Sequence, residues 1–357
     1  MRYSPDRVTV SDVHIHELAD RHPGLHLHDP GGPTESLIRR GELLVARSDL
    51  PRVEVALSRW IDRVEGPAVV RLRPDVDPVA IAADHPGLPI SINHVHTVMV
   101  GSPILHGTGA TPVPVPLPPA PAVEVWDTPV TVLILDTGVD AHPWFTDRPW
   151  FGEWGPHQEI LDLDGDGVAD QQAGHGTFVT GILLRHAPGA TLRHHRVLTS
   201  HGLTDDRTVA TALRRTREHA ASVGEKIDIV VMTFGCHTPD DQCPPVLARE
   251  LEKFGDTRFV AAAGNTATTR PFWPAAHPAV IAVGATTADG QPAPFSGRGP
   301  WVDTTAPGVD IVSAHVRLTP TTREYGAARW SGTSFAAPQV AAALATALHK
   351  GAPHSMV

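Results

Sequence analysis

The stretch Trp330-Ser331-Gly332-Thr333-Ser334-Phe335-Ala336-Ala337-Pro338 combines a hydroxyl with the start of a helix. A tight Gly turn ahead of a run of small residues puts Ser334 at a helix N-terminus, where backbone N–H groups lack intrahelical partners and the dipole favours negative charge. Pro338 fits the first turn or so of that helix, where a missing N–H costs least. Three more polar residues stand where the chain turns: Asp136 after an apolar run, His175 between Gly174 and Gly176, and Asn265 after Gly264. Singly, each has a plainer reading as a helix cap or a turn residue. Together they supply the residue types of nucleophilic catalysis. A serine hydroxyl is a poor nucleophile until a base within hydrogen-bond reach takes its proton, and histidine titrates nearest neutral pH. A buried carboxylate then fixes the imidazole tautomer.

The elements that must hold these residues show in the hydrophobic pattern. After Trp126, apolar runs at 130–135, 191–198, 227–233, 258–263 and 279–284 read as buried strands. Helices fit between them at 175–185, 204–221 and 245–254, the second capped by Thr204 with Asp205 and Asp206 in its first turn. This alternation predicts an α/β fold with a doubly wound parallel sheet, which places its sites at the carboxyl edge. Upstream, strands at 42–47, 68–72 and 90–100 alternate with helices at 50–62 and 77–84, the order of a small α+β domain of ferredoxin-like type. Residues 101–122 contain seven prolines and read as an extended, semi-rigid linker. The chain thus divides into a first domain at 1–100, a linker at 101–125 and a second domain at 126–357.

Composition excludes some roles. With 29 Lys plus Arg against 39 Asp plus Glu, the formal net charge is −10, which argues against nucleic-acid and anionic-membrane partners. The 22 histidines are scattered without metal-ligand spacing, so no metal site is assigned. Cys236 and Cys243 allow a local bridge or two free thiols, but no disulfide framework. No signal-peptide core follows Met1 and no apolar run has membrane-span length. The chain therefore reads as cytoplasmic as written, and as secreted if its start is misassigned.

From about residue 126 to 350 the chain resembles the subtilisin-like serine proteases, or subtilases. The resemblance rests on Leu-Asp-Thr-Gly at 135–138, Gly-His-Gly-Thr at 174–177, Ala-Ala-Gly-Asn at 262–265 and Gly-Thr-Ser-Phe-Ala-Ala-Pro at 332–338. Asp, His and Ser also follow one another in the order known for subtilisin. Carried over residue by residue, the resemblance implies a serine endopeptidase acting through an acyl-enzyme. Ser334 is then the nucleophile, His175 the general base, Asp136 its orienter and Asn265 the oxyanion-hole side chain. Loss of such an asparagine costs about 10²–10³ in kcat, a magnitude measured in subtilisin itself. Thr233, Phe234 and Gly235 resemble the edge strand that pairs with a peptide substrate, and Ala262, Ala263 and Gly264 one wall of the P1 pocket. No cofactor is implied. The first domain resembles, in order of elements only, the family's propeptides, which act as intramolecular inhibitors. A catalytically latent peptide-binding scaffold, or an esterase using the same nucleophile, is the competing expectation.

Two features stand apart from the family pattern. Phe272 lies two residues before Pro274, where many relatives place a small residue at the base of the P1 pocket, so a shallow pocket for small P1 side chains is expected. Asp162, Asp164 and Asp166 have the spacing of a calcium loop, but Ala173 stands at its twelfth position in place of glutamate. A solvated acidic turn and a weak Ca²⁺ site are both consistent with it.

Overall fold

The computed structural model describes residue 22 and residues 24–66, 69–98, 111–155 and 157–352. Its first part runs β1 (Leu25–His28), β2 (Ser36–Val45), α1 (Leu50–Leu57), β3 (Ile61–Glu65), β4 (Val69–Leu72), α2 (Pro78–Asp84) and β5 (Ile90–Thr97). The strands are ordered β3-β4-β2-β5 with every neighbouring pair antiparallel, the split βαβ arrangement expected from the order of elements. Ile38, Leu43, Val53, Leu57, Val70 and Ile81 close its core. The helix expected over 50–62 stops at Leu57. Trp60 N turns back to the Leu57 carbonyl at 2.8 Å, and Ile61 pairs with Leu72 as β3 begins.

The proline-rich segment is less free than its composition suggests. Val113–Val115 forms β6, paired antiparallel with residues 327–329. A strand that includes Pro114 can pair on one side only, which confines it to an edge.

Beyond it the chain alternates: β7 (Thr131–Asp136), α3 (His175–His186), β8 (Thr191–Arg196), β9 (Leu203–Asp205), α4 (Asp206–Val223), β10 (Ile229–Met232), α5 (Pro245–Leu251), β11 (Arg258–Ala262) and β12 (Val280–Thr286). It ends with β13 (Thr304–Pro307), the hairpin β14 (Ile311–Leu318) and β15 (Arg323–Trp330), and α6 (Thr333–His349). Six strands in the order β13-β12-β11-β10-β7-β8 form one all-parallel sheet. Alternate residues of each strand face opposite cores, as the two-residue period requires. Val132, Ile134, Val231 and Val260 meet α3 and α6 on one face, while Leu133, Val230 and Phe259 meet α4 and α5 on the other. The doubly wound architecture expected from the sequence is what the chain adopts.

The N-terminus of α4 differs from expectation. Thr204 is drawn into β9, which pairs with β5 through His96↔Thr204, so the cap falls to Asp205. Its carboxylate accepts the Thr208 N–H at 3.0 Å, and its other oxygen holds Arg39 of β2 at 2.9 Å. Pro338 also lies deeper than expected, inside α6 rather than in its first turn. Its missing N–H leaves the Ser334 carbonyl outside the helical ladder. Among the described residues no helix is long and apolar enough to cross a membrane.

Replacing Asp205 with alanine removes a helix cap and a half-buried ion pair together. We expect a loss of about 1–2 kcal/mol in urea unfolding, measured in a Ser334→Ala background.

Candidate active site

The carboxyl edge of the parallel sheet gathers the polar residues singled out above. Asp136 ends β7, its neighbour strand β10 leads into Thr233, and β11 leads into Ala263, Gly264 and Asn265. His175 opens α3 and Ser334 stands in the first turn of α6, so two helix starts face the same edge. Gly174 caps α3 at φ 82°, a left-handed conformation that glycine adopts without steric cost.

His175 Nδ1 donates to both Asp136 oxygens, at 2.8 and 3.0 Å. Asp136, itself 1% exposed, also accepts the Thr137 N–H at 2.7 Å and the Thr233 hydroxyl. Burial pushes this carboxyl up. The charge of His175 and the hydrogen bonds from His175, Thr233 and Thr137 outweigh it and hold the group below the ordinary carboxylate value. The imidazole rests against Trp330 and Phe335, ring centroids 5.5 and 5.3 Å away. It is thus fixed at one edge by charge and backed by apolar rings.

Ser334 is buried beside this pair, but its hydroxyl donates to the Thr233 carbonyl at 2.8 Å and makes no hydrogen bond to His175. Asn265 is oriented from behind: its Oδ1 accepts the Thr333 N–H at 2.9 Å and the Thr333 hydroxyl at 3.0 Å. That leaves Nδ2 facing forward, where it donates to the carbonyl of Val98 at 3.3 Å.

Val98 follows β5, and the segment runs through the site as an added strand. Thr97 and Gly235 exchange backbone hydrogen bonds of 2.8 and 3.2 Å, and Val98 N donates to the Gly202 carbonyl at 3.1 Å. A stretch of backbone is therefore paired on both sides and ends at the Asn265 amide. Residues 99–110 lie outside the described residues.

The expected subsite residues separate on inspection. Gly235 makes the strand contact and Thr233 links Ser334 to Asp136. The Phe234 side chain points away instead, fully buried against the core that includes Met232 and Leu247, with the His96 ring 5.7 Å off. Ala262 and Ala263 are buried at the strand end, and Gly264 takes φ 84°. The space that Gly264 and Gly235 face is occupied by the Phe272 ring. A Cβ on Gly264 would lie 2.9 Å from that ring, and one on Gly235 2.4 Å from it.

Glu159 was not anticipated. Fully buried, it accepts the Thr177 N–H at 2.7 Å, the Gly174 N–H at 3.0 Å and the Thr137 hydroxyl at 2.8 Å. It thereby ties the loop after Asp136 to the helix start that carries His175. Burial pushes its carboxyl up to about 7, against the pull of its hydrogen bonds with Thr177 and Thr137. It lies in an irregular loop with no motif around it, so the sequence carried no local signal for it.

The acidic loop turns on itself. Asp162 accepts the N–H groups of Gly165, Asp166 and Gly167 at 2.7 to 3.2 Å. Carboxylate oxygens of Asp162, Asp164 and Asp166 nonetheless lie within 4.8 Å of one another, within the span of a hard cation. Both cysteines are free thiols, Cys236 buried and Cys243 half-buried.

Glu159→Gln leaves an amide NH₂ facing a backbone N–H, which costs about 1–3 kcal/mol. Its pH signature is more telling. Between the ordinary glutamate value of 4.5 and about 7, the folded protein keeps a proton that the unfolded chain has released. The stability this group contributes is therefore lost as pH rises through that window. In a Ser334→Ala background, the Glu159→Gln protein should have a lower Tm at pH 5 and a flatter Tm profile up to pH 7.5.

Residues 127–355 match the model of the Subtilase family. The chain is 33% identical over 231 residues to a thermophilic serine proteinase of Bacillus sp. (strain AK1), covering 62% of this chain and 52% of that protein. It is 28% identical over 302 residues to Subtilisin E of Bacillus subtilis (strain 168), covering 79% and 68%. A solved structure of a mutant of the protease domain of PatA aligns at TM-score 0.49 and 27% identity, over 62% of this chain and 79% of that one. The chain spans about half the length of the first of these relatives. With the family model covering well over half of its residues, this chain belongs to the Subtilase family.

Proposed function

We propose that the chain is a serine endopeptidase in a latent form, with residues up to Val98 acting as its intramolecular inhibitor. The observation that carries this reading is the polypeptide already lying in the cleft. Its carbonyl meets the amide of Asn265 at 3.3 Å, and its backbone pairs with Gly235 as an extra strand. A site that accepts main chain this way is suited to peptides, because backbone hydrogen bonds are common to all of them.

Catalysis follows from the same atoms. Rotation about χ1 carries the Ser334 hydroxyl from the Thr233 carbonyl to His175. The imidazole takes the proton as Oγ attacks the peptide carbonyl, and the Asp136 carboxylate stabilises the imidazolium. The charge that develops on the carbonyl oxygen is met by Asn265 Nδ2 and the Ser334 N–H at the start of α6. His175 returns the proton to the leaving amine, and water repeats the sequence to release the acyl group. Selectivity falls to Phe272, whose ring occupies the space between Gly235 and Gly264 and leaves room for small P1 side chains.

Intact mass of the wild type and of Ser334→Ala, each before and after a fluorophosphonate probe, tests the reading. We expect the wild type alone to take the probe and alone to be cut within residues 98–111. Absence of labelling with or without the first 98 residues would overturn it. A peptide-library profile should favour small P1 residues and shift towards large ones in Phe272→Gly. A wild-type profile dominated by aromatic P1 residues would refute the role given to Phe272.

A further inference from the structure

Behind the strand that enters the cleft lies a buried cluster that the reaction does not use. Asp206, the first residue of α4, is fully buried. One of its oxygens accepts the His94 N–H at 2.9 Å and His94 Nδ1 at 2.7 Å; the other accepts His96 Nε2 at 2.6 Å. Cys236 Sγ, 3.7 Å from the same His96 nitrogen, completes the group. His96 is 0% and Cys236 3% exposed. Among the described residues, His94 Nε2 and His96 Nδ1 are buried without a hydrogen-bond partner, so the network is incompletely satisfied.

We propose that His96, Asp206 and Cys236 are ligands of a zinc-type divalent cation that locks the strand at 90–98 onto the peptidase sheet. The regulatory consequence rests on the inhibitor reading above, whereas the site itself does not. One nitrogen, one carboxylate oxygen and one sulfur converge within 4.8 Å of one another. That donor set suits zinc and excludes calcium and magnesium, which take oxygen ligands. Tetrahedral zinc with Zn–N near 2.0–2.1 Å and Zn–S near 2.3 Å separates the two ligand atoms by about 3.6 Å. The observed nitrogen-to-sulfur distance is 3.7 Å. The contact between His96 and Asp206 must open, from 2.6 Å to roughly 3.3 Å.

The second shell is already built on the carboxylate side. His94 holds the far oxygen of Asp206 with both its N–H and its ring, leaving the near oxygen for the cation. On binding, Cys236 gives its proton to solvent and His96 shifts its ring proton from Nε2 to Nδ1, freeing the Nε2 lone pair, so carboxylate and thiolate together neutralise the dication. Without a cation, burial and the Asp206 charge hold the thiol protonated.

Each ligand comes from a different segment. His96 lies on β5 next to Thr97, Asp206 starts α4, and Cys236 follows Gly235, the residue with which Thr97 pairs. A cation here binds the closed arrangement and not the opened one. At a free concentration ten times its dissociation constant it suppresses release of the strand about elevenfold.

The test uses the untagged full chain carrying Ser334→Ala, stripped with a chelator and titrated with Co²⁺. We expect one equivalent to bind with a thiolate-to-cobalt charge-transfer band that Zn²⁺ abolishes. Cys236→Ser should remove the band, His96→Gln should weaken binding, and Cys243→Ser should leave both intact. Absence of the band, or its survival in Cys236→Ser, overturns the site. In the wild type, fluorophosphonate labelling should slow about elevenfold at zinc ten times its dissociation constant. Labelling indifferent to zinc overturns the lock, while a cobalt band in a chain that never labels would uphold the site and refute the peptidase reading.

Discussion

A single buried carboxylate constrains the whole sheet edge. A charge with no access to water is tolerated only when donors surround it, and Asp136 receives them from three separate places: its own turn at Thr137, β10 through Thr233, and α3 through His175. Those donors can converge only if β7 and β10 keep their register and α3 begins where it does. Glu159 enforces the second condition by gripping the N–H groups at the start of α3. Much of the polar structure near the site thus serves to keep one negative charge satisfied, and the orientation of the imidazole follows from that.

Thr233 shows how closely the parts are coupled. Its hydroxyl serves the Asp136 carboxylate and its carbonyl holds the Ser334 hydroxyl, so one residue touches both side chains. Its identity as a hydroxyl residue matters to the first contact and its position in the backbone to the second. Valine, of nearly the same shape, would preserve only the latter.

The sequence revealed those features whose causes are local. Apolar runs buried on both faces announce parallel strands, and a strand followed by Asp-Thr-Gly or Gly-Asn announces its own end. Asp136 and Asn265 were legible for that reason, and His175 and Ser334 because glycines mark the helix starts that carry them. Thr204 was taken for a cap because nothing within the helix reveals that β9 pairs with β5, a partner more than one hundred residues earlier in the chain. Val113–Val115 looked like linker because pairing with β15 is invisible in a proline-rich stretch. Phe234 sits between two residues that face the cleft, and the alternation of an extended chain turns its side chain into the core. Glu159 failed to register because its partners, Thr137, Gly174 and Thr177, come from two segments on either side of it.

The edge pairing of β6 has a consequence for what a cut in the chain would do. Val113–Val115 is anchored on β15 whether or not the backbone upstream is intact, while the strand at 90–98 is held by its own contacts in the cleft. Before cleavage the two are one molecule, and the strand meets the cleft at an effective concentration of the order of millimolar, whatever the dilution of the protein. Afterwards the same contacts join two separate molecules. Occupancy of the cleft then depends on how much of the severed fragment remains in solution, so dilution alone distinguishes the two states.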